Sequence, residues 1–291
     1  FAKAETVSLP DSLTTLGENA LGYAGNLTTV NLPSSLKTIG KQAFFNCTAL
    51  KQVVIPASVT EIGEGAWAAC GSLKAIETAA DQTGYKSVDG ILFTADGKTL
   101  VAYPNGMDLT AYTVPDGVET VYGYAFYSAS TLASLTMADS VTAVGDYGFY
   151  YCGALTEPVW SKNLSSIGDY AFYSCKKILS LTFPDSMRTV GKYAFAWCSG
   201  VKTVDMGSGM REIGPYSFYY MTGMTAVKLG SGMKTVGNYA FYKDSKLATV
   251  DLGGTEVIGA SAFSGDKKIA ALTVPATMRE IGAYAFNKCT G

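Results

Sequence analysis

The chain has 291 residues, 48% of them hydrophobic and 16% charged, and its 22 Lys and Arg residues nearly balance its 24 Asp and Glu residues. Because no block of basic residues stands out, this balance disfavours a protein that binds nucleic acid or an anionic membrane surface. The sequence holds no histidine, which excludes Ser-His-Asp, Cys-His and other sites that rely on a protein histidine. No apolar run is long enough to cross a bilayer.

A repeat of 23 residues organises the chain from end to end. Its most regular member is a large apolar residue, usually aromatic and usually preceded by alanine, and we call this set the aromatic column. The column comprises Leu21, Phe44, Trp67, Phe126, Phe149, Phe172, Phe195, Phe218, Phe241, Phe263 and Phe286. Neighbours are 23 or 22 residues apart, except for one interval of 59 that holds an ordinary copy and a longer, divergent one. A period this regular predicts one solenoid over residues 1–291, with about twelve coils.

Each copy has a strand half and a turn half. In residues 178–184 (ILSLTFP), alternating apolar residues predict a short strand with one side in the core, and the proline ends it. In residues 167–175 (IGDYAFYSC), apolar residues four apart predict a helical or 3₁₀ turn. The glycine of this motif, Gly168 here, recurs in nearly every copy. It indicates either a special backbone angle or a close approach that a Cβ would block.

These patterns predict which residues form the core. We expect burial of the aromatic column, the alanine before each member and the alternating strand residues. A further apolar column should join them, namely Leu13, Leu36, Val59, Val118, Val141, Leu164, Met187, Met210, Met233 and Met278.

The six cysteines all lie three residues after a member of the aromatic column, at Cys47, Cys70, Cys152, Cys175, Cys198 and Cys289. Other copies carry Ala24, Ala129, Met221, Asp244 and Asp266 there. The alanines and the methionine indicate that the position mostly favours a small or soft apolar group. An even number of cysteines leaves disulfides as an alternative. However, equivalent side chains on stacked coils point in parallel and not at one another. We predict buried free thiols and, without a C-x-x-C pair, no metal site and no cofactor.

The divergent copy covers about residues 78–117. Two β-rich runs, residues 87–93 and 99–103, flank Asp96-Gly97, and an Asp-Gly between such runs predicts a β-hairpin. The favoured interpretation is an elaborated coil that keeps the stack continuous. The alternative is a projecting hairpin that shapes a binding edge, because insertions in solenoids often fall on the binding face.

Two surfaces are candidates for binding. The first is a concave ladder of outward strand positions, small, polar and rich in threonine, represented by Thr203, Asp205, Lys228 and Asp251. The charged members fall on successive rungs, so the alternative is that they only pair with one another, a modest effect.

The second candidate is a tyrosine stripe on the turn half, represented by Tyr147, Tyr150, Tyr170 and Tyr173. Tyrosine offers a large contact area with a polar tip and is enriched at interfaces. The alternative, which we favour, is that these rings lean on neighbouring coils and seal the edge of the core.

The motif in residues 39–56 (IGKQAFFNCTALKQVVIP) resembles the BspA-like leucine-rich repeat, and the resemblance extends over nearly the whole chain. The repeat and its short strands predict an α/β fold: a right-handed leucine-rich-repeat solenoid with short parallel strands and helical or 3₁₀ turns. The resemblance implies a cell-surface or secreted protein, mostly of host-associated bacteria, with adhesive members and no known catalysis.

The predicted function is therefore a non-enzymatic extracellular binding module, adhesive towards a host protein or glycan. The alternative is a structural spacer within a larger cell-surface protein. A carbohydrate-active enzyme would need two converging carboxylates, of which the sequence gives no sign. Because uncapped coils expose a hydrophobic edge, we also expect a longer protein or end-to-end contact with a neighbour.

Overall fold

The computed structural model describes residues 3–291, and within that range the chain forms twenty-five short β-strands and no helix. In chain order the strands are β1 (Thr6–Val7), β2 (Thr15–Leu16), β3 (Thr29–Val30), β4 (Thr38–Ile39), β5 (Gln52–Ile55), β6 (Glu61–Ile62), β7 (Ala75–Thr78), β8 (Tyr85–Val88), β9 (Ile91–Thr94), β10 (Thr99–Ala102), β11 (Ala111–Val114), β12 (Thr120–Val121), β13 (Ser134–Met137), β14 (Ala143–Val144), β15 (Glu157–Val159), β16 (Ser166–Ile167), β17 (Ser180–Thr182), β18 (Thr189–Val190), β19 (Thr203–Asp205), β20 (Glu212–Ile213), β21 (Ala226–Lys228), β22 (Thr235–Val236), β23 (Thr249–Asp251), β24 (Val257–Ile258) and β25 (Glu280–Ile281).

Most coils contribute one strand to each of two ladders. The ladder that precedes the turn half includes an eleven-stranded sheet from β8 to β25, which is parallel from β10 onward, and a separate sheet of β2, β4 and β6. The ladder of the strand half is broken into β1–β3, β5–β7, β11–β13–β15 and β17–β19–β21–β23. Paired residues are mostly one repeat apart, as in Ser166 with Thr189. The prediction of a parallel-strand solenoid is confirmed.

The turn half is not helical, so the predicted helical or 3₁₀ turns and the α/β class are wrong. The N–H groups of Tyr147, Phe149 and Tyr151 donate to carbonyls 22 residues later, in the next coil, at 2.7–2.9 Å. Those of Gly148 and Tyr150 donate to carbonyls three residues earlier, at 3.1–3.2 Å. Because alternate N–H groups leave for the next coil, a continuous helical ladder cannot form.

The backbone angles give the same result. Tyr147 and Tyr151 have φ of 57° and 58°, in the left-handed region, and most copies repeat this pair of residues on either side of the aromatic column. A left-handed residue interrupts a right-handed helix, and for a bulky side chain it is unusual. The spacing of four that suggested a helix therefore reflects a chain of tight turns held by the next coil.

The recurring glycine is required by close packing and not by its backbone angle. A Cβ on Gly191 would lie 2.5 Å from the carbonyl carbon of Gly168 in the preceding coil and 2.6 Å from the amide nitrogen of Asp169. Real Cβ contacts are not this short, so the coils could not approach. A Cβ on Gly17, in the first coil, would meet nothing within 4 Å.

The core is a stack of equivalent side chains. Phe172 is fully buried, with its ring 4.8 Å from that of Phe149 and 5.1 Å from that of Phe195, nearly parallel to both. The predicted core columns are buried almost throughout. In the terminal coils Ala20 and Val274 are exposed and Leu13, Met278 and Phe286 are half-buried. Strand positions of inner coils that are also half-buried include Tyr112, Trp160 and Val250.

All six cysteines are free thiols, as predicted, five of them buried and Cys289 half-buried. Each thiol donates a hydrogen bond of 3.1–3.2 Å to the backbone carbonyl of the aromatic-column residue in the preceding coil, as from Cys175 Sγ to Phe149 O. The column therefore favours a small apolar group that can also serve as a weak donor.

The divergent copy contains a short antiparallel meander. β8 pairs with β9, and β9 with β10, before β12 resumes the parallel ladder. The run predicted at residues 87–93 is two strands, because Asp89 and Gly90 form a turn with φ of 52° and 79°. Ile91 and Phe93 of β9 are buried in the core.

The aromatic column also has a member that sequence analysis missed, Tyr103, whose ring stacks 4.7 Å from Phe126. It lies 23 residues before Phe126 and follows an alanine, which is the pattern that marks the other members.

Candidate binding groove

The strand-face ladder of residues 180–251 brings the predicted site residues together. The strands β17, β19, β21 and β23 lie side by side in register, so Asp205 pairs with Lys228 and Lys228 with Asp251. Thr203 occupies the same row as Ala226 and Thr249, two residues earlier on each strand. Thr203, Lys228 and Asp251 are exposed, and Asp205 is partly exposed. Asp205, Lys228 and Asp251 line a groove of about 720 Å³ together with the turns that follow the strands.

The turns on one rim of the groove are built from glycine. Gly207, Gly230 and Gly253 stand two residues after the ends of β19, β21 and β23, where Pro184 stands after β17. All three have positive φ, between 54° and 78°. On Gly230 a Cβ would collide with the carbonyl oxygen of Gly207, so glycine is required both for its angle and for the close approach of the turns. The rim therefore presents backbone to the groove.

The charged side chains of the groove are held in place by short-range contacts. Lys228 Nζ lies 3.3 Å from Asp205 Oδ2 in an exposed ion pair. The other oxygen of Asp205 accepts a hydrogen bond of 3.0 Å from the Gly207 N–H, and Asp251 accepts one of 2.9 Å from the Gly253 N–H. These bonds fix the directions of the carboxylates, as pairing across rungs alone would not.

Asp185 and Ser208 extend the groove beyond the predicted residues. Asp185 Oδ1 accepts from both the Ser208 hydroxyl, at 2.7 Å, and the Ser208 N–H, at 2.9 Å. These two bonds lower the pKa of the Asp185 carboxyl. The groove thus carries three aspartates and one lysine, with the lysine already paired.

Sequence analysis did not single out Asp185, Ser208 and Ser231 as groove residues. The available indication was the loss of proline: three consecutive copies replace the usual proline with glycine, at residues 207, 230 and 253.

The four tyrosines of the predicted stripe also lie together, on the turn half. The rings of Tyr147 and Tyr170 stack at 4.9 Å, those of Tyr150 and Tyr173 stack at 5.0 Å, and Tyr147 contacts Tyr150 at 5.4 Å. All four are half-buried. Because each ring face lies against the next ring, only edges and hydroxyls reach the surface, which supports packing over ligand stacking.

Burial raises the pKa of Tyr147, Tyr150 and Tyr173 above the usual value, with neighbouring tyrosines as a second cause. Sequence analysis did not single out the outer residues beside this stripe, Tyr151 and Trp197, which are 47% and 40% exposed. Both are in the left-handed region two residues after the aromatic column.

The described part of the chain contains no group of three or more Cys, Asp or Glu side chains arranged to hold a metal ion. Over residues 3–291 no helix has the length and apolar character needed to cross a membrane.

Comparison with protein-family models gives one match, to the BspA type leucine rich repeat region, in six copies over residues 1–87, 101–188 and 165–291. The chain belongs to the BspA-type leucine-rich-repeat family. The interval between the first two matched ranges, residues 88–100, falls in the meander of the divergent coil. The search of curated proteins found no match.

Solved structures of the same type support the BspA-type fold. A leucine rich cell surface protein from Faecalibacterium prausnitzii A2-165 is 28% identical over 84% of this chain, with a TM-score of 0.64. The chain covers 59% of that protein's length. A leucine-rich repeat protein from Eubacterium ventriosum is 21% identical over 97% of this chain and 76% of its own, with a TM-score of 0.73. One from Bacteroides ovatus is 25% identical over 97% of this chain and 69% of its own, with a TM-score of 0.58.

Proposed function

We propose that this protein is a non-enzymatic cell-surface module that binds a protein or glycan in the groove over β17, β19, β21 and β23. The observation that carries the proposal is the groove itself. It combines fixed carboxylates, a lysine and a glycine rim in three consecutive coils, where other coils carry proline, alanine or serine at the rim position. A scaffold selected only for stacking would not need this local departure from the repeat.

The groove suits an extended partner. Its floor is a parallel ladder of polar side chains, and the glycine turns line its rim. Fixed carboxylate oxygens accept hydrogen bonds from both peptide N–H groups and sugar hydroxyls. The BspA-type family and the cell-surface description of the Faecalibacterium protein support an extracellular or surface location and an adhesive role.

A structural spacer is the second candidate, favoured by the continuity of the stack. Aromatic rings follow one another from Tyr103 to Phe286 at 4.6–5.4 Å between neighbouring column members. Such a column makes a stiff rod, which would hold other parts of a surface protein away from the cell.

A binding screen against matrix proteins and a glycan array tests the proposal. The groove variant changes Thr203, Asp205, Lys228 and Asp251 to alanine, and the stripe variant changes Tyr147, Tyr150, Tyr170 and Tyr173 to serine. The matched control, Thr29→Ala with Gln52→Ala, alters the same kind of strand position on distant coils. Circular dichroism and urea unfolding establish that each variant is folded.

We expect the groove variant to lose binding by at least about tenfold, with the control unchanged. Loss confined to a folded stripe variant would move the site to the tyrosines. Unchanged binding in both variants would remove both surfaces. No binding by the parent chain would favour the spacer.

A further inference from the structure

Two aspartates occupy the cysteine column in the last coils. Asp244 lies three residues after Phe241, and Asp266 three residues after Phe263, as each cysteine does in its own copy. Both side chains are completely buried, with 0% of their surface exposed. Burying an ionised carboxylate without a cation is costly, so buried acids are normally paired or neutral.

Each carboxyl group has one satisfied oxygen and one without a partner. Asp244 Oδ1 accepts a hydrogen bond of 2.6 Å from the Met221 N–H in the preceding coil, and Asp266 Oδ1 accepts one of 2.8 Å from the Asp244 N–H. Oδ2 of both residues is buried without a hydrogen-bond partner among the described atoms. An acceptor-only oxygen in that position leaves its desolvation uncompensated.

Within residues 3–291, no positive group pairs with either carboxyl. Met221 faces Asp244 from the preceding coil, the two aspartates face each other, and Cys289 faces Asp266 from the following coil. The basic residue next in sequence, Lys243, turns outward over the rings of Tyr220 and Tyr242, at 5.5 and 5.2 Å. The ion pairs of the described residues include neither aspartate.

The cysteines indicate what the second oxygen does. Cys198 Sγ donates to the carbonyl of Phe172, 26 residues earlier, in the preceding coil. By the same register, the carbonyl of Phe218 is the acceptor expected beside Asp244. In the Cys198 copy, the carbonyl of Phe195 receives the Cys198 N–H at 3.2 Å.

The Met221 N–H does not make this bond within its own coil, because it donates to Asp244 Oδ1 instead of to the carbonyl of Phe218. The carbonyl of Phe218 is therefore left for Asp244. The same diversion of the Asp244 N–H leaves the carbonyl of Phe241 for Asp266. A carboxylate oxygen against a carbonyl oxygen is repulsive, whereas a protonated carboxyl group would donate to it as the thiols do.

We propose that Asp244 and Asp266 are neutral carboxylic acids in the folded protein, each donating to the preceding coil, and that their ionisation opens the C-terminal coils. The pair is then a pH-sensitive latch: it holds the end of the solenoid closed in acid and weakens it as pH rises. The acid supplies the donor that cysteine supplies elsewhere, and in addition it titrates.

The direction of the pH dependence follows from the environment. Burial raises the pKa of Asp244, and the neighbouring Asp266 raises it further. Burial raises the pKa of Asp266 to about 8. Because the folded pKa lies above the unfolded value of about 3.9, the stabilising contribution is complete below the unfolded pKa and is lost as pH rises through the folded pKa. Between the unfolded and the folded pKa, the ionisation of each acid on unfolding raises the unfolding equilibrium constant about tenfold per pH unit.

Urea unfolding of the full chain at pH 5, 6, 7 and 8 tests the latch. The Asp244→Asn, Asp266→Asn double variant keeps an acceptor oxygen and puts an amide donor in place of the acid O–H, without a titrating proton. The Asp244→Cys, Asp266→Cys variant restores the residue of the other coils, should the asparagine variant fail to fold. Asp116→Asn, at an exposed position, is the matched control.

Relative to either double variant, the unfolding equilibrium constant of the parent and of the Asp116→Asn variant should rise about tenfold per pH unit for each of the two acids. Alkylation of Cys289, compared with Cys47 in the same molecule, should accelerate with pH in the parent more than in the Asn variant. Infrared spectra in D₂O at pH 7, where surface carboxyl groups are ionised, should show a protonated carboxylic acid band that is absent from the Asn variant. Parallel pH profiles in parent and double variants, or carboxylate bands alone at pH 7, would overturn the proposal.

Discussion

Replacing Phe172 by alanine tests whether the stacked aromatic column holds the solenoid together. The ring is fully buried between Phe149 and Phe195, with Trp160 against its edge at 5.3 Å. Phe→Ala in a core costs about 3–5 kcal/mol through lost transfer energy and the remaining cavity. Two stacked partners lose about 0.5–1.5 kcal/mol each beyond area burial, which places Phe172→Ala near the upper end of that range.

The assay is urea unfolding followed by circular dichroism, with Phe286→Ala as the comparison. Phe286 is half-buried and, among residues 3–291, stacks on Phe263 alone, so its loss should cost roughly half as much. Because repeats interact mainly with their neighbours, a central cavity is also expected to split the unfolding transition. A loss under about 1 kcal/mol for Phe172→Ala would refute the assignment of this column to the core.

Contacts between coils give three further predictions. Gly191→Ala should destabilise the protein by about 1–3 kcal/mol or more, because the new Cβ meets the backbone of the preceding coil. Gly17→Ala should change the stability by less than about 0.5 kcal/mol. Equal effects of the two substitutions in thermal melts would contradict the close-packing argument. Alkylation without reductant, read by mass spectrometry, should modify six thiols in the unfolded chain and chiefly Cys289 in the folded one. The other thiols are buried, and burial raises the pKa of Cys152 and Cys198 to about 12. A mass lower by two hydrogens per cysteine pair would show disulfides instead. A double-mutant cycle on Asp205 and Lys228 should give a coupling of at most about 1 kcal/mol that shrinks with salt, because the pair is exposed, and a value above about 2 kcal/mol would mean the pair is structural.

The sequence by itself determined the solenoid, the parallel ladder of the strand half and the buried columns. Those features follow from periodicity, because residues that recur every 23 positions in a stack must share an environment. The burial of Phe172 and of the cysteine column was readable for that reason. The divergent copy was located by its length, although its aromatic member, Tyr103, was overlooked.

Only the tertiary structure decided how the turn half is built. Apolar residues four apart fit a helix, but the N–H groups of Tyr147 and Phe149 go to the next coil, and no pattern within one copy encodes a bond to another. The same holds for Gly191, where the collision that forbids a Cβ comes from the preceding coil.

The groove and the surroundings of the buried acids likewise depend on contacts between neighbouring coils. Asp205 and Lys228 were named from the repeat, but the open rim required three glycines to align, and Asp185 entered the site only through its bond to Ser208 one coil later. Asp244 and Asp266 read as polar exceptions in an apolar column. Their meaning depends on which carbonyl and which N–H the neighbouring coils place beside them, and that is set by stacking, which the order of residues along one coil does not specify.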